Sequence, residues 1–231
     1  MSAKSKSGER FFLIMGLILI AIVFGGFALP TMARPGDIGS MPLILHLHGI
    51  VFFAWFLLFC VQARLIGSGD VRLHMSLGKA SVLVSTAMIV LGYLVLRGAL
   101  AKPDFSIAGM PAAPSAMFPF TDMLNFIIVY GLALSNRRVP AAHKRLMLLA
   151  GILIIDPAAA RLVMSMGGPP PVILLLELAL FAALITYDVI TRRRPHWASM
   201  LGLGLFVLAL VAKLTVAQQP VWASFVDAFL S

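Results

Sequence analysis

Seven long apolar stretches alternate with short polar connections along the chain. Each stretch holds about 20 residues, which at about 1.5 Å per helical residue matches the roughly 30 Å hydrocarbon core of a bilayer. The pattern predicts membrane-spanning helices at approximately residues 11–29, 43–66, 77–96, 118–134, 146–164, 172–190 and 197–216. The predicted fold class is therefore all-α, a polytopic seven-transmembrane-helix bundle in which residues 1–231 form a single helical membrane domain.

The composition excludes a water-soluble domain. Hydrophobic residues make up 61% of the chain and charged residues 12%, with a mean hydropathy of +1.00. A soluble domain of this size needs more polar surface than these residues provide. The lipid bilayer is therefore the first predicted partner.

The basic residues of the connections predict the orientation, since cytoplasmic loops are enriched in lysine and arginine. One side holds Lys4, Lys6, Arg10, Arg64, Arg72, Lys79, Arg137, Arg138, Lys144, Arg145, Arg192, Arg193 and Arg194. The other side holds Arg34, Arg97 and Lys102, offset by Asp37, Asp104 and Asp227. We therefore expect a cytoplasmic N-terminus and an outside C-terminus in a bacterial inner membrane. The net charge of +9 reflects this asymmetry and anionic lipid, and does not indicate nucleic acid.

Ionisable residues inside the spans are the candidates for function, because each costs a few kcal/mol to insert. Most are expected in the outer halves of their spans, with Asp156 about the midplane. The set comprises His46, His48, Asp122, Asp156, Arg161, Glu177 and Lys213.

Two histidines enter span two from the outer side. His48, Trp55 and Gln62 recur every seven residues and share one helix face. His46 lies about 200° away from His48 on an ideal helix of 3.6 residues per turn. We expect His48 to face the bundle, either as a metal ligand or bonded to a neighbouring helix or the headgroup region.

The pair Asp156-Pro157 predicts a kink in span five, because proline removes a backbone donor. The carboxylate could bind a cation, relay protons or be held by Arg161. Several neighbours have structural interpretations as well. Glu177 could pair with Lys213, Asp122 could begin a helix where an acid is favoured, and Arg161 and Lys213 could extend to the outer interface.

His74 and His143 form a separate candidate pair on the inner side. Both precede spans that run in the same direction, so their imidazoles are expected at one membrane face. Two such imidazoles could be the axial ligands of a b-type haem. The alternative is two interfacial residues among inner basic charge. The single cysteine, Cys60, excludes an internal disulfide and a Cys-x-x-Cys haem attachment.

These segments resemble a family of uncharacterised bacterial multi-pass membrane proteins over spans two to five. The family's motif pairs a His…Gln helix with His-Arg-x-x-Gly and His-Arg-x-x-Met segments. The corresponding segments here are His48…Gln62, His74-Met75-Ser76-Leu77-Gly78 and His143-Lys144-Arg145-Leu146-Met147.

The same block looks more loosely like the transmembrane b-type cytochromes, whose four core helices each supply a haem-ligating histidine. Span six has no histidine here, and His48 and His143 are predicted on opposite sides. The likeness therefore implies at most one haem, through His74 and His143.

Three hypotheses for function follow. The leading one is a membrane protein that binds a cofactor or small apolar ligand in its bundle, haem b or a quinone, for electron transfer. The second is a metal-dependent membrane hydrolase with His48, Asp156 and Glu177 around a divalent metal and Arg161 as anion stabiliser. The third is a non-catalytic assembly factor, acting with a membrane-protein partner, or a transporter whose polar residues fix helix packing or a proton path.

Overall fold

The computed structural model describes residues 3–230, with the side chains of residues 10–36 and 38–230. Residues 1, 2 and 231 of the predicted domain lie outside this range. So do the side chains of Lys4, Lys6 and Asp37, whose charges entered the predicted orientation.

The described chain is all helical, without a named strand. Ten α-helices and one π-helical turn follow in order: α1 Ala3–Ala33, α2 Gly36–Ser40, α3 Leu43–Ser68, α4 Val71–Leu100, α5 Ala112–Ser135, α6 Pro140–Ile152, α7 Asp156–Ser165, α8 Pro171–Arg192, α9 Trp197–Val211, the π-turn Ala212–Val216 and α10 Pro220–Phe229.

Six stretches of the described chain are long and apolar enough to cross a membrane: Arg10–Ala33, Leu43–Ser68, Val71–Leu100, Ala112–Ser135, Pro171–Arg192 and Trp197–Val216. A seventh consists of α6 and α7 together, bent by 47° at the break between them. The predicted all-α, multi-pass fold is confirmed at this level. The predicted span 146–164 is not one continuous helix, since the chain leaves helical geometry before Asp156.

Helix ends differ from the predicted boundaries because hydropathy marks the apolar centre of a helix and misses its polar ends. α5 begins at Ala112, after Pro111, rather than near residue 118. The short helix α10 follows the last span and was not predicted, because ten residues are too few to cross a bilayer.

The core is built around α1, which packs against α3 and the α6–α7 pair. Its buried face carries Phe12, Met15 and Leu19, which belong to the same apolar core as Trp55 and Phe56 of α3. Gly26 of α1 lies so close to the backbone of Ala158 on α7 that a Cβ atom would overlap it. Close approach through small residues is typical of helix packing in lipid, where apolar side chains gain little by leaving the solvent.

A second apolar cluster lies at one end of the bundle, where α10 packs against α4 and α5. It includes Leu96, Met117, Trp222 and Val226. The indole Nε1 of Trp222 donates a 2.6 Å hydrogen bond to the carbonyl of Ala113 in the first turn of α5. α10 therefore covers the ends of α4 and α5, shortly after the π-turn in the chain.

Candidate functional site

The break between α6 and α7 gives the site its shape. Pro157 has no N–H, so the carbonyl of Leu153 has no partner four residues ahead. Around the break, Ile155 N–H donates to Ile152, and the N–H groups of Ala158 and Ala159 both donate to Ile155. Asp156 is thereby the first residue of a short helix that starts inside the bundle. A helix N-terminus carries partial positive charge and favours a carboxylate there.

The π-turn supplies the opposite charge. It comprises Ala212–Val216 at the end of α9 and contains Lys213. Single π-turns inside helices are uncommon and are frequent at functional sites. The α9 segment before it, Trp197–Val211, contains no charged residue, so Lys213 is the first charge along this span.

Lys213 joins two helices that are distant in sequence. Its Nζ donates to Oδ1 of Asp122 on α5 at 2.9 Å and to Oδ2 of Asp156 on α7 at 2.7 Å. The three side chains are between 10% and 20% exposed. The ammonium also lies over the Phe118 ring, 4.9 Å from its centroid. The contacts thus form a buried bridge between a continuous span and a broken one.

A third carboxylate lies in the same region. Glu177 on α8 is 7% exposed and within electrostatic reach of Asp156, Lys213 and Asp122. Its carboxyl group makes no hydrogen bond to any residue in the described part of the chain. Oδ2 of Asp122 is also buried without a partner. We call Lys213, Asp122, Asp156 and Glu177 the lysine–acid cluster.

Several structural interpretations from the sequence are wrong. Asp156 is held by Lys213 and not by Arg161, and Lys213 pairs with two aspartates instead of Glu177. Asp122 does not begin a helix, because α5 starts ten residues before it. Lys213 points into the bundle instead of extending to the interface. Apart from the start of α5, each error concerns which neighbour a side chain meets, and the pattern of a single helix does not specify that neighbour.

Arg161 and His48 lie near each other but apart from this bridge. Nη1 of Arg161 donates a 2.9 Å hydrogen bond to the carbonyl of Pro157, and its guanidinium lies over Phe27. The His48 ring stacks on Phe52 and lies close to the backbone of Leu91 on α4. Its charged neighbour is Arg161. His46 is half-buried, with Nδ1 3.4 Å from the carbonyl of Pro42.

The predicted metal ligands do not form a common centre. In the part of the chain that the structure describes, no three His, Cys, Asp or Glu side chains are grouped closely enough to hold one ion. His48 therefore lies outside any such group with Asp156 and Glu177. The geometry gives no support to a hydrolase site built from these three residues.

The inner histidines occupy separate helices. His143 on α6 forms a 2.8 Å hydrogen bond through Nδ1 with the carbonyl of Ala133 on α5. Nε2 is then the nitrogen available for another ligand, as is common for metal-bound histidines. His74 is half-buried in the first turn of α4. A shared haem remains a prediction.

A second charged cluster was not predicted from the sequence. Asp188 on α8 accepts four hydrogen bonds: two from the Arg145 guanidinium, one from Ser199 Oγ at 2.6 Å and one from the His196 N–H at 3.0 Å. Arg145 and Asp188 are 2% and 0% exposed. Arg145 Nη1 also donates to the carbonyl of Ala141 at 2.7 Å. We call Arg145, Asp188, His196 and Ser199 the arginine–aspartate cluster.

The sequence carried a signal for this cluster. Arg145 was counted among loop charges, although it stands five residues into α6. Asp188 lies eleven residues after Glu177, which is about three helical turns and therefore on the same face of α8. Two acids on one face of an apolar helix indicate two buried partners.

Comparison of the chain with protein-family models, with curated proteins and with solved structures finds no match. The resemblance noted for spans two to five therefore stays a prediction.

Proposed function

We propose that this protein is a multi-pass transport protein of the bacterial inner membrane that exchanges protons at the lysine–acid cluster. The observation that carries this proposal is the Lys213 ammonium, shared between Asp122 and Asp156 where one span is broken. This is the transporter hypothesis among the three that the sequence allowed.

Charge balance supports a role for protons. The cluster contains three carboxyl groups and one ammonium, so it would carry a charge of −2 with every group ionised. Two excess negative charges in a low-dielectric interior are costly, and carboxyl groups that share a site retain protons for this reason. The cluster is therefore suited to take up and release protons.

The backbone supports a role in transport. Broken helices at membrane depth are tolerated where they line a polar site within the protein, and transporters place their ion sites at such breaks. Here the break lies beside Asp156, and a second irregularity, the π-turn, holds Lys213. Both partners of the Lys213–Asp156 contact are thus attached to irregular backbone.

The orientation belongs to the same proposal. We propose a cytoplasmic N-terminus, because the connections on that side hold most of the basic residues. α10 and the lysine–acid cluster would then lie towards the outer face. The arginine–aspartate cluster would lie near the cytoplasmic face.

Proton flux into proteoliposomes tests the proposal. The purified protein is reconstituted around a pH-sensitive dye with sodium chloride on both sides. An inward pH gradient drives proton entry, and potassium with valinomycin holds the membrane potential at zero. We expect acidification with the wild-type chain and loss of most of it with Asp156→Asn, which removes an ionisable group at similar size. Asp227→Asn is the matched control, since Asp227 is an exposed carboxylate on α10.

Two results would contradict the proposal. One is a wild-type flux equal to that of protein-free liposomes. The other is an Asp156→Asn variant that is folded by size-exclusion chromatography and retains full flux.

The orientation of His143 favours one second candidate, electron transfer through a b-type haem. Its Nδ1 is fixed by Ala133, which leaves Nε2 as an axial ligand, with His74 as the other ligand. Haem bound there would accept and donate single electrons. An absorption spectrum should then show a Soret band that is lost in His143→Ala and kept in His46→Ala. A colourless protein would exclude this candidate.

A further inference from the structure

The lysine–acid cluster contains more acid than its lysine can satisfy. Lys213 bonds one oxygen of each aspartate, while Oδ2 of Asp122 is buried without a partner. Glu177 is 7% exposed and makes no hydrogen bond to the described residues, and Asp156 is one of its charged neighbours. Buried polar atoms are nearly always bonded, so Oδ2 of Asp122 indicates a further cationic or protonic partner.

The broken backbone provides neutral oxygen atoms next to Asp156 in the chain. Leu153 and Ile154 are 4% and 8% exposed. No backbone N–H of the described chain donates to either carbonyl, since the bonds at the break go to Leu149, Ile152 and Ile155. Asp156 follows directly in the chain. Unpaired carbonyls next to a carboxylate are the oxygen donors that hard cations bind in unwound helices.

A divalent ion fits this arrangement poorly. Such sites normally draw on several acidic side chains, and no three are suitably grouped in the described residues. One carboxylate with backbone carbonyls carries less charge and suits a monovalent cation better. Lys213 already shows that a +1 group is accommodated between these acids.

We propose that the cluster is a sodium site, with Asp156 and the carbonyls of Leu153 and Ile154 as donors and Glu177 as the carboxyl group that exchanges its proton. Binding of one Na⁺ releases one proton from a carboxyl group, so the charge of the cluster is unchanged. The protein would then couple Na⁺ movement to proton movement in the opposite direction. This inference rests on the proposed function and names its second substrate.

Thermal unfolding of the full-length protein in detergent tests the binding step without any transport. NaCl is compared with choline chloride at equal ionic strength, at pH 8.5 and at pH 6. We expect NaCl to raise the unfolding midpoint by a few °C at pH 8.5 and by less at pH 6, where protons compete. Asp156→Asn and Glu177→Gln should lose the difference between the salts, and Asp227→Asn should keep it.

Lys213→Ala provides a readout that a merely structural cluster would not give. Removing the ammonium leaves Asp122 and Asp156 without their shared cation, so Na⁺ should stabilise this variant more than it stabilises the wild type. Equal midpoints in NaCl and choline chloride, for the wild type and this variant, would overturn the sodium site. If Lys213→Ala does not fold, the wild-type comparison decides alone.

The two proposals fail separately. Proton flux without any difference between the two salts would overturn the sodium site and leave proton exchange standing. A sodium-dependent midpoint in a protein that conducts no protons would overturn proton exchange and leave the site standing.

Discussion

The two charged clusters of this protein use the same helix in opposite ways. α8 contributes Glu177 to one and Asp188 to the other, about 16 Å apart along one face. Asp188 accepts four hydrogen bonds and faces the Arg145 guanidinium. Glu177 accepts none from the described residues, and it lies among two further acids and one lysine.

The difference separates a structural site from one suited to exchange. A buried ion pair whose hydrogen bonds are all made has no reason to change its partner, and breaking it is expensive. An acid cluster with spare oxygens changes its proton or cation content readily. The backbone differs between the two clusters in the same way. Arg145 lies within the regular helix α6, whereas Asp156 lies at the helix break and Lys213 lies in the π-turn.

Loss of Asp188 should have the largest effect on stability. Asp188→Ala leaves Arg145 buried without its counter-charge, which costs about 3–5 kcal/mol. The unfolding midpoint in detergent should fall sharply, and acid pH should not restore it. Asp227→Ala removes an exposed carboxylate and should leave the midpoint unchanged. A normal midpoint for Asp188→Ala would show that this cluster is not structural.

Loss of Lys213 should have a smaller and pH-dependent effect. Lys213→Met leaves two carboxylates that can become neutral by taking up protons, so we expect about 2 kcal/mol at neutral pH, below the usual cost of breaking a buried pair. The loss should shrink as the pH falls and the carboxylates are protonated. Unfolding midpoints between pH 5 and pH 8 measure this. An equal loss at every pH would remove the distinction between the two clusters.

Crowding the contact between α1 and α7 should disturb the lysine–acid cluster and spare the other. A Cβ at Gly26 would overlap the backbone of Ala158, two residues after Asp156. Gly26→Ala should cost about 1–3 kcal/mol and reduce proton flux. Gly49→Ala, with nothing within 4 Å of the added atom, is the control. Full flux in folded Gly26→Ala would show that the site does not depend on this contact.

The smallest expected effect concerns His196, which lies before the last span. Burial lowers the pKa of His196 from 6.5. The positive charges of Arg145 and Arg192 lower this pKa further, whereas the negative charge of Asp188 raises it. Its Nδ1 accepts a 3.1 Å hydrogen bond from the Ala198 N–H, which requires the neutral ring. The unfolded chain therefore binds the proton more readily, and this contribution is present above pH 6.5 and lost as the pH falls below it.

The size of that contribution is close to that of a helix cap, about 1 kcal/mol. His196→Ser keeps an acceptor at the cap and removes the titration. Its unfolding midpoint should depend less on pH between 5 and 7 than that of the wild type. Identical pH profiles would show that His196 does not titrate in this range.

The sequence predicted the spans and the break because both have local causes. Apolar length sets the number of crossings, and Pro157 interrupts hydrogen bonding wherever its helix lies. The choice of Asp156, Glu177 and Asp122 as candidates rests on the cost of placing ionisable groups in lipid. That argument needs no knowledge of neighbouring helices.

The partners of these residues depend on tertiary arrangement. Lys213 lies three residues from the end of its span, which suggested an interfacial side chain. Lys213 lies within a π-turn and contacts two aspartates, and hydropathy does not predict such a turn. Asp188 lies four residues before the end of α8, beside basic residues, and therefore resembled a charge at a helix end.

The contact between Gly26 and Ala158 has a mechanical consequence. α7 is joined to α6 through three non-helical residues, 153–155, and it packs against α1 with the backbone of Ala158 directly beside Gly26. If the break acts as a hinge, α7 cannot swing by itself and must carry α1 with it as one rigid body. A change in the charge around Asp156 would then move α1, and this movement would extend to the opposite membrane face.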